Sequence, residues 1–377
     1  MKDLKKKQKI FVLVLSGFVL IFSIGLFVYK QATKTKLDKR LSQNKPITIF
    51  LSSVGSDDKI SLSVFAILLP KEKKCGLYFI NPLSSFDDKN DIVESRGSSK
   101  IHSLSKEFTH FSNLPVHYFL QVKEKDLEDF VDIMGGISFY FDDKPIPSTL
   151  FLWEKGEENL SGEAVSEYLK LKDQSPLHYV DRMNKQLSMM LTVYDRLSKS
   201  KDLPKEWIKS FFLRVKTDLS PLELFSLYDF FVSSHIIFST SELPGELMTD
   251  KKTKEPFLFV KEDTAKISFT NFEKNMRSDY FLDGEKARTE VLNATDVPGL
   301  ARRVKSILND KRLKVLSVEN AWITNQKKTI VIDRSGNTEY SYKIAETLNS
   351  KKVVHLIRKE LGLDTTVIVG EDFEIKP

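Results

Sequence analysis

The chain has 377 residues, 41% hydrophobic, 29% charged and 11% aromatic, enough for two domains with a sizeable core. Its net charge of +6 is unevenly placed: residues 1–45 carry eleven Lys and Arg against Asp3 and Asp38, a net of +9, and the remaining 47 basic and 50 acidic residues leave the rest at −3. A slightly acidic body lacks the electrostatic footprint of a duplex-DNA binder, so no nucleic-acid partner is expected.

At the N-terminus, MKDLKKKQK precedes IFVLVLSGFVLIFSIGLFVY, twenty positions (10–29) without a charge. As a helix this run covers about 30 Å, the thickness of a bilayer's hydrocarbon. A cleaved signal peptide has a shorter apolar core of about 7–15 residues and a small-residue cleavage site. Here Tyr29, Lys30 and Gln31 follow instead. The reading is one uncleaved membrane anchor, with residues 1–9 on the cytoplasmic side and everything beyond Lys30 outside. Long C-terminal domains translocate largely regardless of flanking charge. Residues 30–45 are polar and charged and read as a short juxtamembrane stalk. The lone Cys75 lies in an apolar strand-like run, which predicts a buried thiol and no internal disulfide.

From Pro46 the pattern becomes strand-like: ITIFLSS, SLSVFAILL and CGLYFI, separated by turn-prone clusters, then VHYFLQV. KEKDLEDFVDIMGG reads as a helix with Leu127, Phe130, Val131 and Met134 on one face and Gly135-Gly136 closing it. ISFYF resumes as a strand. A longer helix runs from about Asp181 to Lys199, with Met183, Leu187, Met190, Leu191, Tyr194 and Leu197 as its apolar stripe. Residues 203–273 mix helices such as SPLELFSLYDFF with short strands and an LPG turn, and 274–284 read as a linker. Residues 285–377 form a unit of their own, read as a βαββαβ-like pattern. The expected fold class is α/β, a mixed sheet sandwiched by helices over 46–273, followed by a small α/β C-terminal domain.

The segment YLKLKDQSPLHYVDRMNKQ concentrates Lys170, Lys172, Arg182 and Lys185 within nineteen positions. Were the chain extended after Tyr168, Lys170 and Lys172 would point the same way; were they helical, they would diverge by about 200° and the pair would dissolve. On the following helix Arg182, Lys185 and Gln186 share one side, at i, i+3 and i+4. A site for an anion and a solvated charged face are both open at this point. His102 and His117 have no carboxylate or cysteine partner at ligand spacing, and Trp153, Trp207 and Trp322 read as packing.

EVLNATDVPGLARRV with TTVIVGEDF, over about 287–373, is similar to the C-terminal domain of LytR-type proteins. LPVHYFLQVKEKDLEDFVDIMGGISFYF, then ENLSGEAVSEYLK with DRMNKQ, then VKTDLSPLEL and LPG, resemble in order the LytR-CpsA-Psr domain. That resemblance implies an apolar pocket for a polyprenyl tail and transfer of a glycopolymer from a polyprenyl (pyro)phosphate carrier to peptidoglycan, with a magnesium ion and arginines around the pyrophosphate. Phosphoryl transfer needs little covalent help and much charge neutralisation, so that set of groups suits it.

Against the family's pattern this sequence departs. Lys59 and Ser61 in KISL stand where an arginine and a metal-holding aspartate would fall, and a serine hydroxyl is a far weaker magnesium ligand than a carboxylate. INPLSS lacks the arginine and aspartate of a second element. Asp57 and Asp58 are the remaining candidate metal ligands. Lys170 and Lys172 replace a paired arginine, Arg182 and Gln186 match, and Lys185 replaces another arginine. Lysine keeps the charge and loses the bidentate fork. The expectation is a pyrophosphate or anion site of Lys59, Lys170, Lys172, Arg182, Lys185 and Gln186, with the magnesium site incomplete. Two functions compete: a working glycopolymer transferase, and a non-catalytic relative that binds a lipid-linked anion, glycan or envelope protein. The anchor and the net-negative body argue against transcriptional regulation.

Overall fold

The computed structural model describes residues 34–86, 91–142, 148, 150–171, 178–199, 203–277, 287–322 and 324–373. The apolar run 10–29, Lys172 and most of the expected linker lie outside them. Among the described residues no helix is long and apolar enough to cross a membrane.

In chain order the elements begin with helix α1 (Lys36–Ser42), strands β1 (Ile47–Val54), β2 (Ile60–Leu69), β3 (Lys74–Ile80) and β4 (Ser84–Ser85). Then come α2 (Ile101–Ser112), β5 (Tyr118–Lys123), α3 (Glu124–Ile133), β6 (Ile137–Phe141), β7 (Gly156–Leu160), α4 (Gly162–Lys170) and α5 (His178–Lys199). They are followed by α6 (Lys205–Phe212), β8 (Lys216–Thr217), α7 (Pro221–Ser233), β9 (Ile237–Glu242), β10 (Glu246–Thr249), β11 (Pro256–Phe259) and α8 (Glu262–Arg277). The C-terminal part holds β12 (Thr289–Asn293), α9 (Leu300–Asp310), β13 (Val315–Asn320), β14 (Ile330–Asp333), α10 (Thr338–Thr347), β15 (Lys352–His355) and β16 (Thr365–Val369).

The central sheet runs β8-β5-β1-β2-β3-β9 and is mixed: β1 is antiparallel to β2 and parallel to β5, and β3 is parallel to β9. Its inner strands read as almost continuous apolar runs because both faces are covered. On one face Ile49, Val64, Ala66, Leu77 and Phe79 pack against Met183, Leu187 and Leu191 of α5 and Leu224 of α7. On the other, Phe50, Phe65, Ile67 and Tyr78 meet Phe108 of α2 and Phe269 of α8. Alternate residues of one strand thus serve two cores, as a period of two requires.

The C-terminal sheet has the order β13-β12-β16-β14-β15. The sequence reading overlooked β15, so the unit is βαββαββ rather than βαββαβ. Nor does it bury its surface alone. Ala294, Ile330, Ile332, Leu356 and Ile368 share one core with Phe139, Phe141, Tyr168 and Met189 of the preceding part.

Three expectations about local structure need correction. The stretch read as a polar stalk contains α1, closed by a Thr35–Asp38 capping box and seated by Leu37, which is fully buried. Lys170 is not on an extended segment: α4 runs through it and ends at Leu171. Ser161 starts that helix by accepting from the Ala164 amide at 3.2 Å, and the strong helix formers of GEAVSEYLK carry it on. Helix α8 also reaches Arg277, so the first positions of the expected linker are helical.

Candidate functional site

Helices α3, α4 and α5 enclose a cavity of about 890 Å³ beside the start of β2. Its apolar walls come from Leu127, Phe130 and Val131 of α3, Val165 and Leu169 of α4, and the methionines of α5. Met183 and Met190 belong to the stripe read from the sequence as packing. Flexible thioethers suit a wall that must fit an irregular apolar guest. Gly162, in the cavity lining, brings α4 tight against α3. A Cβ there would lie 2.1 Å from the Glu128 carbonyl oxygen, so only glycine lets α4 approach α3 this closely. Its amide donates to Asp132 Oδ1 at 2.7 Å and locks the pair.

Polar groups gather where α4 ends and α5 begins. Lys59, Lys170, Arg182 and Gln186 all line the cavity. Gln186 fixes the geometry: its Nε2 donates to the Ser61 carbonyl at 2.8 Å and ties α5 to the start of β2. Its Oε1 is buried and accepts no hydrogen bond from a described residue. Arg182 is half-buried and makes no ion pair with a described residue. Lys170 is exposed at the rim.

Lys185 is not part of this set. Its ammonium pairs with Asp181 at 2.6 Å, donates to the Leu171 carbonyl at 3.1 Å and sits 5.2 Å over the Tyr168 ring. It fastens the α4–α5 junction and is already engaged by those groups. Burial, with the Asp181 and Asp142 carboxylates adding to it, pushes the Tyr168 phenol well above its ordinary range. Lys172 lies outside the described residues.

The metal question turns on Ser61 and its surroundings. Its hydroxyl is buried and hydrogen-bonded to Ser53 Oγ at 2.7 Å, a neutral pair. Asp57 and Asp58 stand on an exposed turn, outside the cavity lining. Asp57 is 3.8 Å from the Lys59 ammonium and accepts from the Lys59 amide, so it serves its own loop. Glu94, Glu124, Glu128 and Glu255, which the sequence reading did not single out, also line the cavity. Even so, no group of three or more His, Cys, Asp or Glu among the described residues could hold a metal ion. At Ser61 itself the described residues offer a pair of hydroxyls and no carboxylate.

The two histidines weighed from the sequence have packing roles. His117 Nδ1 accepts from the Thr48 amide at 3.1 Å, and burial, with Arg40 beside it, pulls its pKa down to about 4. His102 is exposed with its ring edge-on to Phe119. Trp153 is core, but Trp207 and Trp322 are about half exposed, against the expectation that all three pack inside.

A second constellation escaped the sequence reading. His355 of β15 is buried with Nδ1 at 3.0 Å from Asp333 and Nε2 at 3.6 Å from Asp195, which lies on α5. Tyr342 donates to the same Asp195 at 3.1 Å. Burial alone would lower the His355 pKa, but the two carboxylates raise it to about 9, while His355 and Lys199 hold Asp195 near 2 despite burial. These partners are 22 and 160 positions apart in sequence, beyond any spacing rule. The cluster joins the C-terminal part to the back of the helix whose other side lines the cavity.

Residues 286–373 match the family described as LytR cell envelope-related transcriptional attenuator. Over 301 residues the chain is 22% identical to a protein of Bacillus anthracis named polyisoprenyl-teichoic acid–peptidoglycan teichoic acid transferase TagU, covering 71% of this chain and 97% of that one. The namesake from Bacillus licheniformis is 18% identical over 286 residues, 65% of this chain and 89% of its own. A solved structure described as a transcriptional regulator from Enterococcus faecalis shares the fold, with a TM-score of 0.52 at 17% identity over 63% of this chain and 89% of that one.

Proposed function

This chain belongs to the LytR-CpsA-Psr family and carries a LytR-type C-terminal domain, and on that premise we propose that it is a membrane-anchored cell-envelope protein that binds a polyprenyl-(pyro)phosphate-linked glycopolymer, or a related anionic lipid, with weak or no transferase activity. One observation carries the reading. An apolar cavity of about 890 Å³ has Arg182, Lys170 and Lys59 in its lining, while Ser61, where the resemblance would put a metal carboxylate, is hydrogen-bonded to Ser53.

An isoprenoid tail gains from burial at roughly 25 cal/mol per Å² of apolar surface, and the cationic end supplies the head-group contact. The four cavity glutamates keep the lining from being uniformly attractive to an anion, so the grip is local to the α4–α5 junction. On this reading, charge neutralisation of a phosphoryl-transfer transition state falls to a few cations, one guanidinium among them. Loss of comparable groups lowers such rates by orders of magnitude. The relatives' name supports envelope glycopolymer as the ligand class and peptidoglycan as the neighbouring partner.

The competing reading is an active magnesium-dependent phosphotransferase. Incubating the full chain with polyprenyl pyrophosphate, with and without magnesium, separates them. Binding with no phosphate release supports the proposal, and metal-dependent release refutes it. Repeating the assay with Ser61→Asp asks whether one carboxylate restores turnover.

A further inference from the structure

The segment between the apolar run and the body carries Lys30, Lys34, Lys36, Lys39, Arg40 and Lys45 against one acid, Asp38. A flexible stalk would let those charges drift away from the folded body. The structure does the reverse. Leu37 is fully exposed to no solvent and lies in the central core, its amide donates to Glu223 Oε1 at 3.3 Å, and Arg40 Nη2 donates to the Pro46 carbonyl at 3.1 Å. Helix α1 is therefore part of the body and holds its lysines in a fixed place.

That place is close to where the apolar run ends. From Tyr29 to Lys34 is five residues, which reach at most about 18 Å when fully extended. Glu223, which binds the start of α1, is in the first turn of α7, and its chain neighbour Leu222 is 70% exposed. Around α1, Asp38 is occupied by the Thr35 amide and hydroxyl and Glu223 by Ser220 and Leu37, so the two acids that cap and seat this helix are turned to internal donors. Lys36 and Lys39 stay exposed.

We propose that α1 and the N-terminal tip of α7 form a rigid basic collar that seats the body on an anionic phospholipid surface, with Leu222 at the lipid boundary. The occupant is the bilayer that the apolar run would enter, so the inference rests on the anchored reading above. Each Lys or Arg held near such a surface adds attraction that falls off within a Debye length, which a loose stalk would squander. Helix α7 also meets α6 through Phe225 and Phe212, and α6 stacks Phe211 on Phe130 of the cavity wall at 4.2 Å. A collar fixed on lipid would thereby fix the height of the cavity above it.

The test uses the full chain in vesicles containing about one-third phosphatidylglycerol. Cys75 is buried, so Leu222→Cys provides the accessible thiol for an environment-sensitive fluorophore, and Trp322→Cys a control on the C-terminal unit. Brominated lipids should quench the label at position 222 at least about twofold more than that at 322. Replacing Lys34, Lys36 and Lys39 by Gln should remove most of that difference while the protein still co-floats with the vesicles. Co-flotation with equal quenching at both positions would overturn the collar and leave the anchor standing, as would quenching that survives the lysine substitutions. Failure to co-float at all would overturn both.

Discussion

Arg182 and Lys185 are three positions apart on one helix and carry the same charge, yet they do different work. Arg182 lines the cavity with its guanidinium uncommitted to any described acid, whereas Lys185 is held by Asp181, the Leu171 carbonyl and the Tyr168 ring. Arg182→Ala should weaken binding of polyprenyl pyrophosphate by about tenfold, corresponding to about 1.4 kcal/mol, with little change in melting temperature. Lys185→Met should do the opposite, lowering stability by about 1–3 kcal/mol with affinity changed by less than about twofold. Isothermal titration and thermal melts on the two variants distinguish these outcomes, and equal affinity losses would show that Lys185 also reaches the ligand. The charge run itself was legible in the sequence, as was the side of the helix shared by Arg182 and Gln186. What separates Arg182 from Lys185 is a carbonyl and a ring supplied by tertiary packing, which residue spacing does not encode.

At the scale of elements, α3 and α4 make their close approach beside the cavity through Gly162. Gly162→Ala should destabilise the protein by about 1–3 kcal/mol and push the helices apart, visible as a lower melting point and weaker ligand binding. An unchanged melting point would mean the helices can slide at no cost. The main strands were readable from apolar runs, and α3 from its stripe and closing glycines at φ +77° and +85°. Helix α2 was passed over although Ile101, Leu104, Phe108 and Phe111 recur at helical spacing in it. Of the two geometries open for Lys170 the helical one holds, for a local reason: Ser161 is an N-cap, and the helix it starts runs to Lys170. Strand β15 has only four residues, too short for a period to declare itself.

At the scale of the whole molecule, the C-terminal unit braces the cavity's long helix. Ser188 Oγ accepts from the Ile357 amide at 2.9 Å, Asn184 donates to Glu360 at 3.3 Å, and buried Arg334 pairs with Asp142 at 2.7 Å. His355→Asn should cost about 3–5 kcal/mol at neutral pH by leaving buried carboxylates without their cation. The pH dependence has a definite sign. The His355 pKa is raised to about 9, so its contribution is complete below its ordinary value and lost as pH rises through 9. Asp195 is depressed to about 2, so its contribution is complete above its ordinary value and lost as pH falls through 2. Denaturant titrations should therefore show wild type and His355→Asn converging above about pH 9, and a gap that persists there would contradict the cluster's role.

The central claim is a grip on a lipid-linked anion without the metal chemistry to transfer it. The most direct measurement follows binding and phosphate release together, on the full chain in vesicles bearing polyprenyl pyrophosphate and magnesium. Saturable binding that Arg182→Ala weakens, with no phosphate released, is the result expected. Phosphate release that rises with magnesium and stops on chelation would contradict it.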